Sequence, residues 1–352
     1  MNQYKEHYPD KEHYPEFEEQ SGFFMKIRLE FKRILDFSKP SGLLVALSGG
    51  VDSMFLLVFL IWLRKREGFP LLAAHFNHHL RPEADEEESR FLHDFCQEWE
   101  VPYIEGGAVV KELSNERKQG VEEAARAARY DFFDAALSHC EEEFKLPFYL
   151  CLGQHLDDQA ETVLHNLGRG TGLTGLCGMP AKVGKKLRPL LSVRRAEIEN
   201  FMQERDLPWR EDLSNQSLDY RRNRIRHLII PQWKEVLGDD LPAKLAGMAS
   251  HLQAEEEVLR ELSSKHYAEI RLANSELNLR KMSELPLALQ RRVLLQWLED
   301  EGLDAPHRDT MEEFLRLLSD LPREGRLPLS KGHELYLNGY ILCIQSDGQK
   351  EG

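Results

Sequence analysis

Two short stretches hold the residue types that phosphate chemistry needs. The first, "SGGVDS", sets Ser48, Gly49, Gly50, Val51, Asp52 and Ser53 between the apolar run Leu43–Leu47 and a second that starts at Met54. Adjacent glycines leave room for a ligand and can adopt the backbone angles that turn successive N–H groups toward one point. A helix that follows adds its N-terminal N–H groups and dipole to the same attraction for an anion. Ser48 and Ser53 can donate hydroxyl hydrogen bonds to phosphate oxygens, whereas a bare carboxylate at Asp52 repels them. A divalent cation between Asp52 and the phosphates removes the conflict, and magnesium favours such carboxylate-plus-phosphate sites. In isolation the same residues read as a helix-capping acid after a tight turn. The loop matches neither the Walker A nor the G-x-G-x-x-G pattern.

The second stretch, "GQHLDDQAETVLHNLGRGTGLTGL", brings Asp157, Asp158 and Glu161 to one helix start. Acids are favourable at that position in any helix. Three of them beside a phosphate loop point instead to binding a cation, holding an ammonium group or taking a proton.

The elements between the two stretches place them together. From Leu43 onward, short apolar runs alternate with helical segments: "LLVAL" before a helix from about Asp52 to Arg66, then "PLLAAHFNH", "VPYIEGG" and "PFYLCLG", each followed by a helix. Such alternation predicts a doubly wound α/β domain with a parallel sheet, whose ligands sit beyond the carboxyl ends of the strands. Both stretches open at that rim. After about Pro231 the pattern turns helical and closes on "GRLPLSKGHELYLNGYILCIQ", a β-like end. The expected organisation is an extension over 1–22 carrying "KEHYP" twice, a catalytic domain over 23–232 and a mainly helical domain with a small β element over 233–352.

At 352 residues the chain is long enough for two cores, and its formal charge of −14 argues against nucleic acid as a partner. Local segregation answers that objection. The run 182–195 holds Lys182, Lys185, Lys186, Arg188, Arg194 and Arg195 with no acid, and "RRNRIRH" adds Arg222 and Arg226 among four arginines. RNA responds to the facing patch within a Debye length of about 8 Å. No apolar run approaches a membrane span and the first residues lack a signal-peptide pattern, so a cytoplasmic protein without membrane attachment is expected. Five scattered cysteines with no C-x-x-C suggest neither a disulfide framework nor a zinc knuckle, and His75, His78 and His79 lack matching ligands.

Ser-Gly-Gly-x-Asp-Ser resembles the pyrophosphate loop of the N-type ATP pyrophosphatases, which cleave ATP between its α and β phosphates and leave AMP on a substrate oxygen. The second stretch resembles the signature of tRNA(Ile)-lysidine synthetases through His155, Asp157, Asp158, Gln159, Glu161 and Thr162, followed by Arg169, Gly170, Gly172, Leu173, Gly175 and Leu176. Gln154 departs, standing where that family commonly has histidine. "GVEEAARAARYDFF", with Glu122, Arg126, Arg129 and Tyr130, is similar to a further family segment, as are His79-Leu80-Arg81, "WREDLSNQS" and "RRNRIRH". The likeness runs from roughly Leu43 to the mid-300s.

The resemblance implies an adenine nucleotide alpha hydrolase-like fold. It also implies a ligase that uses ATP and Mg2+ to join free L-lysine to C2 of the wobble cytidine of tRNA(Ile) with a CAU anticodon, through an adenylated cytidine. Asp52 is then the first candidate to hold magnesium and Asp157 the second, with Asp157, Asp158 and Glu161 sharing the remaining acid and base roles. Arg126 either carries an outward helix charge or holds the α-phosphate or the amino-acid carboxylate. Members are often homodimers, although no segment marks an interface. The alternatives are 2-thiolation of a tRNA cytidine, which relatives usually support with paired cysteines, and a non-catalytic ATP-binding regulator.

Overall fold

A computed structural model describes residues 21–79, 82–109, 120–210 and 221–346. The duplicated "KEHYP", Leu80, Arg81 and most of "WREDLSNQS" lie outside the described residues. The chain divides into two compact units, Met1–Ser250 and His251–Gly352. Composition had suggested a division near 232.

The first unit is built on six strands: β1 (Gly42–Leu47), β2 (Leu71–Asn77), β3 (Tyr103–Gly107), β4 (Phe148–Cys151), β5 (Lys182–Val183) and β6 (Lys186–Leu187). Their order is β3-β2-β1-β4-β6-β5. β1 pairs in parallel with β2, Leu43 opposite Leu71, and with β4, Leu43 opposite Tyr149. β2 pairs in parallel with β3 and β4 with β6, while β5 returns antiparallel to β6. The chain thus steps outward from β1 to β3 and then crosses to β4 on the other side. That reversal opens a crevice at the carboxyl ends of β1 and β4, the place where open α/β sheets take ligands.

Helices cover both faces: α1 (Ser21–Ile34), α2 (Val51–Glu67), α3 (Pro82–Glu98), α4 (Val121–Phe144), α5 (Leu156–Gly168), α6 (Leu173–Leu176) and α7 (Arg195–Gln203). Side chains alternate along a strand, so Leu43, Val45 and Leu47 join one apolar layer with α1, α2 and α7, and Leu44 joins another with Phe133 and Leu137 of α4. α2 is apolar nearly all round, and thirteen of its residues are buried, as a helix packed on several sides requires. It ends where Gly68 turns left-handed at φ 72° and donates its N–H to the Arg64 carbonyl. α1 was not anticipated. Its Phe24, Ile27 and Phe31, spaced three and four apart, are fully buried, with Phe24 stacked on Phe201 at 4.9 Å and edge-on to Trp62 at 5.1 Å.

After α8 (Arg221–Arg224) the segment Ile225–Ile229 winds as a π-helix into α9 (Ile230–Leu237), and α10 (Leu241–Ile270) contains the division between units. The second unit continues with β7 (Leu277–Asn278), α11 (Leu279–Ser283), α12 (Leu287–Asp300), α13 (Arg308–Leu318), β8 (Arg323–Pro328), β9 (His333–Gly339) and β10 (Ile341–Ser346). Its four strands form an antiparallel sheet in the order β7-β10-β9-β8, so the small β element is a sheet and not a lone hairpin. Trp297 is fully buried there and donates its indole N–H to the Ser275 carbonyl at 2.9 Å. Among the described residues no helix is long and apolar enough to cross a membrane.

Because Phe24 fills the gap between Phe201, Phe59 and Trp62, Phe24→Ala should destabilise the first unit by about 3–5 kcal/mol, the usual cost of a buried phenylalanine. Urea unfolding followed by tryptophan fluorescence would measure it; an unchanged midpoint would mean that α1 adds nothing to the core.

Candidate active site

The loop after β1 is shaped by one glycine. Gly49 takes φ +69°, whereas Gly50 is extended at φ −69°, ψ 155° and forms the N-cap of α2. Gly50 has no side chain to close the helix start, so Asp52 stands in the first turn of a helix whose end is not capped by a side chain. The Ser53 hydroxyl donates to the Gly50 carbonyl at 2.9 Å and accepts the Ser48 N–H at 3.2 Å, with Ser48 Oγ 3.3 Å away. These bonds fold the loop back on α2. Across the crevice, a Cβ at Gly153 would lie 3.2 Å from the Asp52 carbonyl and the Ser53 nitrogen, so glycine permits the loop after β4 to press against the loop after β1.

That closeness brings the acids to one centre. His155, 1% exposed, caps α5: it accepts the Asp158 N–H on Nδ1 at 3.4 Å, while Asp158 Oδ2 accepts the His155 N–H at 3.1 Å. Its ring lies 3.6 Å from Asp52 Oδ1, 3.7 Å from Asp157 Oδ2 and 3.4 Å from Asp158 Oδ2. The Asp52 separation is too long for a hydrogen bond and is a close polar contact that becomes an ion pair when the ring is protonated. Burial disfavours the imidazolium, but the carboxylates of Asp52, Asp158 and Asp157 more than offset it and hold the His155 pKa above the usual histidine value. Carboxylates gathered round one buried ring would otherwise repel one another.

The other acids are bound from elsewhere. Glu161, 1% exposed, receives Arg226 Nε on Oε1 at 2.5 Å and Arg222 Nε on Oε2 at 3.0 Å. Asp158 Oδ1 accepts from both guanidinium groups at 3.3 and 3.1 Å. Asp157 Oδ2 accepts the Arg195 N–H at 2.9 Å, which caps α7. The Arg195 side chain reaches Glu199 at 2.7 Å and stands 3.9 Å from Asp52 Oδ2. Asp52 Oδ1 and Gln154 Oε1 are among the buried atoms of the described residues that lack a hydrogen-bond partner. Native interiors rarely leave such atoms unbonded unless a ligand, ion or water serves them. No group of three or more His, Cys, Asp or Glu able to hold a metal occurs among the described residues, so a cation here would need ligands beyond the protein's own.

The residues expected to meet RNA are placed in four ways. Arg222 and Arg226 point to Asp158 and Glu161. Arg194 pairs with Asp240 at 2.9 Å and Lys185 with Glu141 at 2.7 Å. Lys186 and Arg126 lie 4.1 and 5.1 Å from the Tyr130 ring centre, with Arg129 at 5.7 Å, and Lys182 lies 5.0 Å from that of Tyr149. Arg188 donates to the Pro180 carbonyl at 2.9 Å. Burial lowers the pKa values of Arg129 and Arg188, as befits cations gathered round one aromatic ring with little opposite charge.

A PP-loop domain model matches residues 24–233, well over half of the chain. The tRNA(Ile)-lysidine synthase of Chlorobaculum tepidum is 32% identical over 310 residues, covering 87% of this chain and 91% of that protein. The chain belongs to the tRNA(Ile)-lysidine synthase family. The synthase of Porphyromonas gingivalis is 33% identical over 293 residues, which cover 83% of this chain and 61% of that protein, so the chain spans about three fifths of that relative. A TilS substrate binding domain model matches residues 277–338, within the second unit. Among solved structures, the U34-tRNA thiolase NcsA from Methanococcus maripaludis aligns with a TM-score of 0.50 at 18% identity, covering 65% of this chain and 80% of that one. That likeness is one of fold.

Within this family signature, His155 is the residue whose place was not foreseen. It was legible only as one letter of the motif, because a histidine's position between acids from two loops depends on the crevice being closed. Arg222 and Arg226 were legible as charge but not as partners of Glu161, 61 and 65 residues earlier. Glu161→Ala strips two guanidinium groups of their buried partner and should cost about 3 kcal/mol of stability, the low end for breaking a buried pair. Adding Arg226→Ala should cost less than the sum of the single changes in a double-mutant cycle of urea midpoints. Strict additivity would show that the pair is not coupled.

Proposed function

We propose that the chain joins free lysine to C2 of the wobble cytidine of a CAU-anticodon isoleucine tRNA, consuming ATP and releasing AMP and pyrophosphate. The observation that carries this reading is the meeting of the Ser48–Ser53 loop with the Asp157, Asp158 and Glu161 helix start at one crevice, in a chain of this family. The Porphyromonas and Chlorobaculum relatives, named as tRNA(Ile)-lysidine synthases, support it.

In the proposed reaction the N–H groups of the Gly49–Asp52 turn and the dipole of α2 hold the β and γ phosphates. The cytosine O2 attacks the α-phosphorus, the bond to the bridging oxygen breaks, and pyrophosphate leaves. Asp52, with its unbonded Oδ1 at the edge of this cradle, fits magnesium, which prefers one or two carboxylates plus phosphate oxygens. When bound, the ion offsets charge on the phosphate oxygens. Arg126, gathered with Arg129 and Lys186 at Tyr130, is the proposed holder of an anionic substrate group, either the α-phosphate or the lysine carboxylate.

The lysine side-chain amine then attacks C2, and AMP departs with the oxygen. The attacking amine must lose protons, because free lysine has a pKa near 10.4. Asp158 and Glu161 are engaged by Arg222 and Arg226, which leaves Asp157 the best placed carboxylate to accept one, since only its Oδ2 is tied to the Arg195 N–H. His155 keeps Asp52, Asp157 and Asp158 close enough to act together.

Incubating the protein with ATP, a CAU-anticodon isoleucine transcript and each amino acid in turn should add the mass of lysine less water to one cytidine, and to none with other amino acids. Asp52→Ala should retain the unfolding midpoint and abolish tRNA-dependent exchange of pyrophosphate into ATP. Normal exchange in that folded variant would remove Asp52 from the reaction.

A further inference from the structure

The proposed reaction uses the first turns of α5, and the last turn of the same helix borders a groove that it leaves unused. Leu164, Leu228, Ile229 and Trp233 line this open groove of about 530 Å3, a size at which proteins hold small molecules and bases. Leu228, Ile229 and Trp233 keep 41%, 39% and 39% of their surface exposed. His165, Arg169, Arg221 and Arg224 supply its polar lining, and among the described residues it includes no acid.

Helical spacing separates the two sets of arginines. Arg222 and Arg226, four apart, share the side that meets Asp158 and Glu161, whereas Arg221, Arg224 and Leu228, at i, i+3 and i+7, share another. The π-helical turn Ile225–Ile229 falls inside this segment, and such turns concentrate at functional sites. Among the described residues the guanidinium groups of Arg169, Arg221 and Arg224 have no carboxylate partner, in a chain of net charge −14.

An aromatic and aliphatic floor with a rim that is basic among the described residues fits single-stranded RNA, which stacks bases on aromatic rings and offers phosphates to guanidinium groups. A second copy of this chain fits poorly. A two-fold interface sets the same patch against itself and would oppose two arginine rims. Leu164 and His165 lie three and four residues past Glu161 on α5, about one turn or 5.4 Å along it. A base seated here belongs to a nucleotide beside the one presented to the carboxylates.

We propose that this groove takes an unstacked base of the tRNA anticodon loop next to the modified cytidine, stacked on Trp233 and with its flanking phosphates held by Arg169, Arg221 and Arg224. The proposal rests on the reading that tRNA is the substrate. Its test is the affinity of the full-length protein for a CAU-anticodon isoleucine transcript, measured by fluorescence anisotropy across a salt series, with sedimentation in parallel. Trp233→Ala should weaken binding by at least about fivefold, as loss of one stacked base does, and Trp233→Phe should restore most of it. The double variant Arg221→Gln/Arg224→Gln should flatten the dependence of log affinity on log salt by about one per arginine. ATP affinity should not change in any of them.

Wild-type affinity and salt slope in the arginine variant would overturn the proposal, even if Trp233→Ala failed to fold. So would a change of oligomeric state with tRNA binding intact, which would assign the groove to a second copy. A wild-type protein that bound no tRNA would overturn the substrate reading itself, and the groove's role with it.

Discussion

Four carboxylates, Asp52, Asp157, Asp158 and Glu161, crowd the mouth of one crevice, and the local structure depends on the basic side chains interleaved among them. His155 sits within 3.7 Å of three, and Arg222 and Arg226 close on Asp158 and Glu161. No single segment could assemble this arrangement. Asp52 comes from the turn after β1, the other acids and His155 from the start of α5 after β4, and the arginines from α8 and the π-helical turn. The parallel pairing of β1 with β4 sets the first two in register. Gly153 then lets their backbones approach so closely that a Cβ there would push them apart by a few tenths of an ångström.

The same arrangement explains why so much charge is tolerated out of water. Desolvating a carboxylate costs several kcal/mol unless partners satisfy its lone pairs. Glu161 is almost wholly buried, and each of its oxygens is met by a guanidinium nitrogen. Asp158 divides its oxygens between the His155 N–H and the arginines. Asp52 is the exception, with a buried oxygen that accepts no hydrogen bond and has only the His155 ring 3.6 Å away. A site that satisfies Asp158 and Glu161 internally and leaves an oxygen of Asp52 without a hydrogen bond at the phosphate loop is organised for a ligand that brings its own positive charge, and this supports the proposed place of magnesium there.

Much of the fold was legible because its signals are local. Apolar runs alternating with helices announce parallel pairing, and the two motifs fall at strand ends, so the crevice followed from topology alone. What stayed hidden has a common physical origin in long-range partnership. α1 was passed over because it precedes the first strand, although Phe24, Ile27 and Phe31 carry helical spacing. β8, "REGRLP", reads as a charged segment ending in proline, yet serves as an edge strand, where only one side must pair and proline is tolerated. Of the two glycines in the first loop only Gly49 adopts positive φ, a distinction that a Gly-Gly pair does not reveal.

Charge shows the same limit from the other direction. The basic runs were read as uniform patches, but a helix distributes its residues by angle, and "RRNRIRH" separates into arginines that neutralise the carboxylates and arginines that line a groove without acids. A net charge of −14 therefore says little about what any one face attracts, because a buried ion pair removes both charges from the field that a ligand meets. Pairing Arg222 and Arg226 with Glu161 and Asp158 cancels acid that would otherwise repel phosphate beside α5. The arginines of the adjoining groove, which have no carboxylate partner among the described residues, can then act on a ligand at short range.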